Sequence, residues 1–480
     1  MNFKNIFKLL SLIGLALSII FLLDVIVGLL YKESYLEVLY FDGAFFLFNL
    51  IAWLLLYKHE LNLSIKESIF TVNFLWIFLG IIGATPLVLY SDISFISAFF
   101  EAISGFTTTG ATVYTDIESL PHLILFHRSL MHWLGGLGVI VLGVGLLSVI
   151  NPSGSLSLFK AETTGVQLEK MTPKIKDTAL MLWIIYFILT ISDILLLKFF
   201  GMNWFDAINH AFSTISTGGF STKNNSLAYF QSDGIIWTTT IFMILSGINF
   251  LVHLKVLHRD FSGYKSEEVR WYIIIGLVLS LALTTVHMDI GGDTFYDAFK
   301  HASFTIASVI TTTGFATINY GSWSHLAIAI IFVGLLVGGN AGSTAGGIKV
   351  IRYVIIFKTL RSEFKRILHP NSIISVFVDK KQQPERILTA TFGFFALFML
   401  SVGITTIYIY ARGYDAMTAI SAAFALVGNV GPGFALVGPS DNFSFFSDAD
   451  KIVFSLAMII GRLEAYTFFV LFSGFFWKRF

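Results

Sequence analysis

The chain has 480 residues, of which 55% are hydrophobic, 16% aromatic and 13% charged, and its formal net charge is +1. This composition is typical of an integral membrane protein, and the near-zero charge gives no indication of a nucleic-acid partner or an acidic substrate. The absence of cysteine excludes disulfides, thiol catalysis and thiolate metal sites.

Apolar runs that can cross a membrane recur along the whole chain. A helix needs about 20 apolar residues to cross about 30 Å of hydrocarbon, and we predict about ten such spans. The first run is too long for a signal-peptide core and is kept as a span. The predicted spans begin near Ile6, Tyr40, Ile69, Leu123, Ala179, Ile235, Trp271, His325, Ile387 and Ile452.

Shorter apolar runs lie between some of these spans and end at Thr/Ser-Gly. They open with Ser97-Ala98, with FDA at Phe205, with YDA at Tyr296 and with YDA at Tyr414. We predict re-entrant helices, whose backbone at membrane depth has to line protein or a water path. N-terminal capping explains Asp206, Asp297 and Asp415 without any contact to ions.

Lysine and arginine concentrate in alternate connecting segments. They are frequent in 151–177, 255–270, 349–386 and at the C-terminus, whereas the opposite segments hold mainly Lys223 and Arg412. By the positive-inside rule, we predict that both termini and the basic segments are cytoplasmic. Lys349 and Arg352 are accordingly expected to face the cytosol, where they could couple to a partner.

Four small, polar runs centred on glycine interrupt the apolar sequence. They read TTTGAT around Gly110, ISTGGF around Gly218, TTTGFA around Gly314 and GNVGPG around Gly431, a period of about a hundred residues. Each repeat reads as span, short helix, glycine run and span. Two spans return the chain to the side it left, so the repeats share one orientation, whereas inverted repeats need an odd number of spans. The predicted fold is an all-α polytopic membrane protein with four span–pore-helix–span repeats around a pseudo-fourfold central pore.

The glycine runs are predicted to form a selectivity filter for a dehydrated cation. A ring of backbone carbonyls can replace the hydration shell of an ion, and glycine at positive φ allows successive carbonyls to face one side. No carboxylate lies in the four runs, which favours a weakly hydrated monovalent cation over Ca²⁺. Singly, each run is also explained as a kink or a small-residue helix contact. The predicted filter residues are Thr108, Thr109, Gly110, Ser216, Thr217, Gly218, Thr312, Thr313, Gly314, Asn429, Val430 and Gly431.

Six stretches, in this order and spacing, match a known family. They are HRSLMHWLGGLGVIVL from His127, FKAETTGVQLEKMTPKIKDTA from Phe159, STISTGGFST from Ser213, TTTGFAT from Thr311, GGNAGSTAGGIKVIR from Gly338 and GRLEAYTFFVLF from Gly461. The chain resembles the TrkH family of bacterial Trk potassium-uptake subunits, within the Trk/Ktr/HKT superfamily. Its additional N-terminal pair of spans is similar to TrkH and not to the related KtrB.

The resemblance implies a homodimeric subunit of the bacterial cytoplasmic (inner) membrane that passes K⁺ through one pore in each protomer. It also implies a cytosolic nucleotide-binding partner of TrkA type. The chain has no Walker loop and no GxGxxG after a strand, so we expect it to bind no nucleotide itself. Apart from membrane lipid, no other partner is expected, and in particular no nucleic acid. The run NVGPG departs from the threonine-containing pattern, so the filter is expected to be only pseudo-fourfold.

The run GGNAGSTAGG interrupts the span that begins near His325. Its composition has poor helix propensity, so the helix is expected to break there, either as a passive kink or as a functional loop. The resemblance implies a gate beneath the filter. It also implies that Arg462, a charge within the last span, projects toward the pore, with a structural salt bridge as the alternative. The predicted gate comprises Gly338, Gly339, Asn340, Ala341, Gly342, Ser343, Thr344, Ala345, Gly346, Gly347 and Arg462.

These assignments divide the chain into five predicted units. They are an extra N-terminal two-span unit (1–66), pore repeat 1 (67–150), pore repeat 2 (151–258), pore repeat 3 with the gating loop (259–369) and pore repeat 4 (370–480).

Several intramembrane polar residues have no assigned role. Asp24, Asp193 and Asn249 suit either proton relays or interhelical hydrogen bonds. Glu464 is on a different helix face from Arg462, so no pair is assumed. The sequence around His127, Arg128 and His132 offers no supporting carboxylate, and no metal site is expected there.

We therefore predict a K⁺-translocating subunit that is not an enzyme and that conducts down the electrochemical gradient. The membrane potential supplies about 2.3 kcal/mol per charge per 100 mV. One alternative is a Ktr-like, Na⁺-dependent channel subunit. Another is an ion-coupled (H⁺ or Na⁺) symporter, which would depend on intramembrane Asp residues and not on filter glycines. A membrane-embedded enzyme is disfavoured because no His/Asp/Glu cluster has catalytic spacing.

Overall fold

A computed structural model describes residues 1–61, 63–150, 175–291, 294–371 and 375–478. Across these ranges the chain is mostly α-helical, and its strands form one antiparallel hairpin, β1 (Phe377–Val378) and β2 (Lys381–Gln382). Six of the described helices are long and apolar enough to cross a membrane, or up to eight if each bent pair counts as one span. The predicted all-α, multi-pass fold is thereby confirmed. Most of the basic segment 151–177 lies outside the described residues.

The helices form an N-terminal pair followed by four sets. The pair is α1 (Phe3–Tyr31) and α2 (Leu36–Leu55). The first set is α3 (Ile65–Tyr90), α4 (Phe95–Phe106) and α5 (His122–Ile150), and the second is α6 (Ile175–Phe199), α7 (Trp204–Ile215), α8 (Asp233–Ser246) and α9 (Phe250–Leu257). The third is α10 (Glu267–Gly291), α11 (Phe295–Ile310), α12 (His325–Leu336) and α13 (Val350–Leu368). The fourth is α14 (Glu385–Ala411), α15 (Ala416–Val427), α16 (Asp448–Arg462) and α17 (Tyr466–Phe469), before a final turn, α18 (Gly474–Trp477).

Each set contains one short helix that cannot cross a membrane. Helices α4, α7 and α15 have 12 residues and α11 has 16, against the roughly 20 that a span requires. Their N-caps are Ser94, Asn203, Thr294 and Asp415, each accepting a hydrogen bond from the backbone N–H three residues later. The predicted capping role is therefore right for Asp415. Asp206 and Asp297 instead lie in the first helical turn, where a negative charge is favourable near the helix N-terminus.

Each of the ten predicted spans starts within four residues of the start of a described helix. Three of the ten do not continue as straight helices. The expected break within 338–347 is confirmed, because α12 ends at Leu336 and α13 begins at Val350. Two further breaks were not predicted. Helices α8 and α9 meet at 97°, and the segment after α16 turns by 112°. At the first of these breaks, Asn249 is the N-cap of α9. At the second, which follows α16, Glu464 and Ala465 both have positive φ.

Candidate functional site

The four glycine runs share one backbone conformation. Each loop leaves the C-terminus of a short helix, and positive φ occurs at two positions that are two residues apart. The first positions are Thr108 (φ 52°), Thr217 (56°), Thr312 (58°) and Asn429 (55°), and the second are Gly110 (82°), Gly219 (86°), Gly314 (79°) and Gly431 (92°). Positive φ is uncommon for residues with a Cβ atom, so its recurrence at equivalent positions indicates four copies of one loop.

In the second loop, the observed register differs by one residue from the register expected from the sequence. The glycine with positive φ is Gly219, and Gly218 takes the position that Thr109 has in the first loop. Ser216 is the C-cap of α7 and corresponds to Thr107, the C-cap of α4. The run ISTGGF contains two adjacent glycines, and the sequence alone could not decide which of them is equivalent to Gly110.

The loops approach one another as a closed ring. A Cβ atom on the positive-φ glycine of any loop would overlap a backbone carbonyl oxygen of the next loop. The overlaps are Gly110 with Gly218, Gly219 with Thr313, Gly314 with Val430, and Gly431 with Thr109. The fourth loop thus returns to the first. Only a residue without a side chain allows this close approach at positive φ.

The surroundings of the ring favour a positively charged ion at its centre. The four short helices carry no basic residue in their last turns, and the C-terminus of a helix is the negative end of its dipole. Hydroxyl groups support the loops from within the protein. Thr107 Oγ1 lies 2.7 Å from Thr109 Oγ1, and Asn429 Nδ2 donates to Thr109 Oγ1 at 2.9 Å. The ring therefore offers neutral oxygens and no carboxylate to a bound ion.

The segment 338–347 runs directly against the filter loops and the broken helices. Its backbone groups, which cannot remain unsatisfied at membrane depth, bond to four neighbouring elements. Asn340 N–H donates to Gly247 O (2.9 Å), Ala341 N–H to Glu268 Oε1 (2.6 Å) and Gly346 N–H to Thr312 Oγ1 (2.6 Å), while Gly342 O accepts from Phe250 N–H (3.1 Å). The bend between α8 and α9 thus provides a docking place for the loop. The sequence signal that could have predicted this bend is the run SGIN, 246–249.

Arg462 joins this loop to the first set of helices. Its Nη1 donates to Thr344 O at 3.0 Å, and its Nη2 donates to Gly135 O at 3.5 Å. The Thr344 hydroxyl donates to Ile215 O, the last residue of α7, at 3.0 Å. The two predicted parts of the gate are therefore in direct contact, next to the end of one short helix. Their gating role stays a prediction.

Comparison with known proteins decides the family. The family model of TrkH, described as a cation transport protein, matches residues 40–270 and 271–479. The chain belongs to the TrkH family. It is 36% identical to the Trk system potassium uptake protein TrkH of Salmonella typhimurium over the whole of both chains, and 35% identical to TrkG of Escherichia coli K12 over 96% of each. It is also similar to the crystal structure of the potassium transporter TrkH from Vibrio parahaemolyticus, with a TM-score of 0.90, 32% identity and full coverage of both chains.

Membership of the TrkH family confirms the resemblance inferred from the motifs. The protein is a multi-pass membrane protein of a potassium uptake transporter family and not an enzyme, since its relatives are named as uptake proteins. Across the described ranges, no group of three or more His, Asp or Glu residues is arranged to hold a metal ion.

Two basic residues of this TrkH-family chain do not face the cytosol as expected. Lys349 is buried and donates to Ala345 O within the 338–347 loop. Arg352 is 2% exposed, forms an ion pair with Glu464, and its guanidinium lies 3.5 Å from the centroid of the Phe394 ring. The prediction that these two side chains are exposed to the cytosol was wrong, because each turns inward to a polar partner that the fold supplies. Glu464 does not pair with Arg462.

A buried ion pair behind the first two filter loops was missed by the sequence analysis. Arg128 Nε donates to Glu101 Oε1 at 2.9 Å, with both side chains at most 1% exposed. Glu101 also accepts from Val113 N–H (2.8 Å), and Arg128 Nη1 donates to Ser221 O (3.2 Å). Each of these loop residues follows a filter glycine within three positions, so the pair fixes where both loops continue. The sequence around Arg128 offers no supporting carboxylate, but the fold supplies one, Glu101, from α4. A Glu inside a short apolar helix was the available sequence signal.

Proposed function

We propose that this chain is a K⁺-translocating subunit of a bacterial Trk system, and that K⁺ crosses the membrane through the ring of four glycine loops. The filter then consists of Thr108 to Gly110, Thr217 to Gly219, Thr312 to Gly314 and Asn429 to Gly431. The observation that carries the proposal is the closed ring of glycine–carbonyl approaches.

The chemistry of the ring suits a weakly hydrated cation. Carbonyl oxygens of Thr109, Gly218, Thr313 and Val430 are equivalent in the four loops. We infer that they replace water around K⁺ in one layer of the filter. The negative ends of four helix dipoles add to the attraction, while the absence of a fixed carboxylate in the loops leaves the ion free to depart.

The 338–347 loop and Arg462 form the gate in this proposal. Supporting it, the loop bonds to Thr312 in the third filter loop and to Arg462 at the end of α16. Conduction then requires the loop to leave these contacts, and the buried positive charge of Arg462 opposes occupation of the space next to it by a cation.

The orientation, assembly and regulation follow from the charge distribution and the family. We propose that both termini and the basic segments are cytoplasmic in the inner membrane, that two copies form a homodimer, and that a TrkA-like nucleotide-binding protein regulates the gate. Arg361 and Lys365 on α13 are exposed and available for such a partner, and Arg366 beside them forms an exposed pair with Glu363. The five-unit division of the chain also stays a prediction.

The test is ion flux in liposomes that contain the purified protein. We expect K⁺ uptake driven by an imposed potential alone, with K⁺ preferred over Na⁺, and loss of this preference in Gly314→Ser, because a side chain there overlaps Val430 O. Gly403→Ala is the matched control, since nothing lies within 4 Å of a Cβ atom at Gly403. Flux that requires a H⁺ or Na⁺ gradient and ignores Gly314→Ser would favour a coupled symporter and contradict the proposal.

A further inference from the structure

Three ionisable side chains, on α1 and on two helices that pack against it, are buried inside the membrane region, away from the filter. They are Asp24 on α1, Asp42 on α2 and His127 on α5, and each is at most 1% exposed. His127 Nδ1 lies 2.7 Å from Asp24 Oδ2, and Asp42 is within electrostatic range of both. Ionisable groups at such a depth are costly and are expected to have a function.

The three groups lie at the same level. Asp24 is seven residues before the end of α1, Asp42 six residues after the start of α2, and His127 five residues after the start of α5. At 1.5 Å per residue these positions are about 8–10 Å from the helix ends. The ends themselves are level, because Glu33 after α1 accepts a 2.8 Å hydrogen bond from His122 N–H at the start of α5. In the proposed orientation this is the outer half of the membrane.

The hydrogen bonds of His127 determine how many protons the group holds. Its Nε2 lies 3.0 Å from Gly83 O, a carbonyl that can only accept, so Nε2 carries a hydrogen. The contact between Nδ1 and Asp24 then also needs one proton, which belongs either to an imidazolium or to a carboxylic acid. In both forms His127 and Asp24 together are neutral and hold this proton between them.

Asp42 is the group left to titrate. Among the described residues, no hydrogen-bond donor reaches either of its oxygens or Asp24 Oδ1. An ionised, unpaired carboxylate in this position is expensive, and a bound proton removes the charge. A metal ion is a poor alternative, since the described residues contain no cluster of three or more ligating His, Asp or Glu side chains.

The other charged groups on the packed helices are placed elsewhere. At the outer end, Glu33 pairs with His122 and Glu37 bonds to Ser34 and Tyr90; Arg128 pairs with Glu101, and His132 bonds to Gly105 O. Lys4, Lys8, Lys66 and Glu67 lie near the opposite helix ends.

We propose that Asp24, Asp42 and His127 form an intramembrane proton-binding site at the junction between the N-terminal helix pair and the rest of the chain, through which external pH modulates ion flux. Contact with the filter runs through α3. Gly83, which accepts from His127, packs against Phe106, and Phe106 is the last residue before the first filter loop. The proton site itself does not depend on the proposed filter, but its effect on flux rests on the proposed function.

Infrared difference spectroscopy tests the site without reference to transport. Purified protein in liposomes is compared at about pH 8 and about pH 5, and the carbonyl stretch of a protonated carboxylic acid is recorded. We expect this band to grow on acidification, to shift in D₂O, and to be lost in Asp42→Asn. Glu37→Gln, which removes an exposed carboxylate from the same helix, is the matched control and retains the band.

Potential-driven K⁺ flux measured on the same liposomes tests the consequence. We expect wild-type flux to change with external pH. Asp42→Asn, which imitates the neutral acid, should show the flux of acidified wild type at every pH.

Equal infrared bands in wild type and Asp42→Asn would overturn the site. Should Asp42→Asn not fold, the same loss is expected in Asp42→Ser, and absence of any pH-dependent acid band in wild type would be equally decisive. A band with pH-independent flux would overturn the link to the pore, whereas absence of flux at any pH would contradict the proposed function and leave the site intact.

Discussion

The backbone N–H of Gly346 donates a 2.6 Å hydrogen bond to Thr312 Oγ1, so a residue of the intramembrane loop bonds directly to a residue of a filter loop. Both groups are well shielded from water, and Thr312 has a positive φ of 58°. The hydroxyl of Thr312 is therefore a point at which the state of the loop and the shape of the filter depend on each other.

We predict that Thr312→Val weakens the closed position of the loop. Valine has the shape of threonine but no acceptor, so Gly346 N–H loses its partner at a cost of about 1–3 kcal/mol. That cost shifts the equilibrium toward the open loop by about 5- to 150-fold. Flux without any regulatory partner should rise, as measured in liposomes. Thr312→Ser keeps the hydroxyl and serves as control; equal flux in the two variants would count against this coupling.

Gly219→Ala, a substitution in the second filter loop, should abolish the preference of the protein for K⁺ over Na⁺. A Cβ atom there overlaps Thr313 O, and the backbone has a φ of 86°, which residues with a side chain adopt only under strain. The measurement is K⁺ flux in competition with Na⁺, with the folded state checked by size-exclusion chromatography. Gly276→Ala, where a Cβ atom meets nothing within 4 Å, should behave as wild type. Normal selectivity in Gly219→Ala would contradict the assigned register.

The buried pair Arg128–Glu101 should show strong coupling in a double-mutant cycle. Glu101→Gln or Arg128→Met alone leaves the other charge buried without its partner, which typically costs about 3–5 kcal/mol. The double substitution removes both charges and should be less destabilised than the sum of the two single variants. Thermal unfolding in detergent measures this difference. Additive effects would mean that the pair does not hold the two loops.

Glu464→Gln should lower the temperature of thermal unfolding, because it leaves the buried guanidinium of Arg352 without its partner. Glu464 is itself 30% exposed, so we expect a loss of about 1–3 kcal/mol, less than for a fully buried pair. Glu363→Gln breaks an exposed pair with Arg366 and is the control, with a change near zero. Equal stability of the two variants would show that the inward position of Arg352 contributes little.

The helices and the repeat of glycine loops could be predicted because they depend on local signals. Runs of about 20 apolar residues locate spans, and all ten predicted starts agree with helix starts to within four residues. The helix break at 338–347 followed from its glycine content, since poor helix propensity is a property of the segment itself.

Features that depend on residues distant in sequence were not predictable. The choice between Gly218 and Gly219 is made by contact with Thr313, which belongs to another loop. Lys349 and Arg352 resemble residues of a cytosolic segment until the fold supplies Ala345 O and Glu464 as inward partners. Charge counting assigns a side of the membrane to a segment, and it does not describe the direction of individual side chains.

The central claim is that a cation is held between equivalent carbonyl oxygens of the four loops, and anomalous scattering from Rb⁺ in crystals of the protein tests it most directly. The account predicts a peak enclosed by the carbonyl oxygens of Thr109, Gly218, Thr313 and Val430, and loss of that peak in Gly219→Ala with the fold retained. Ordered Rb⁺ only elsewhere in the protein, or a peak unchanged in Gly219→Ala, would contradict it.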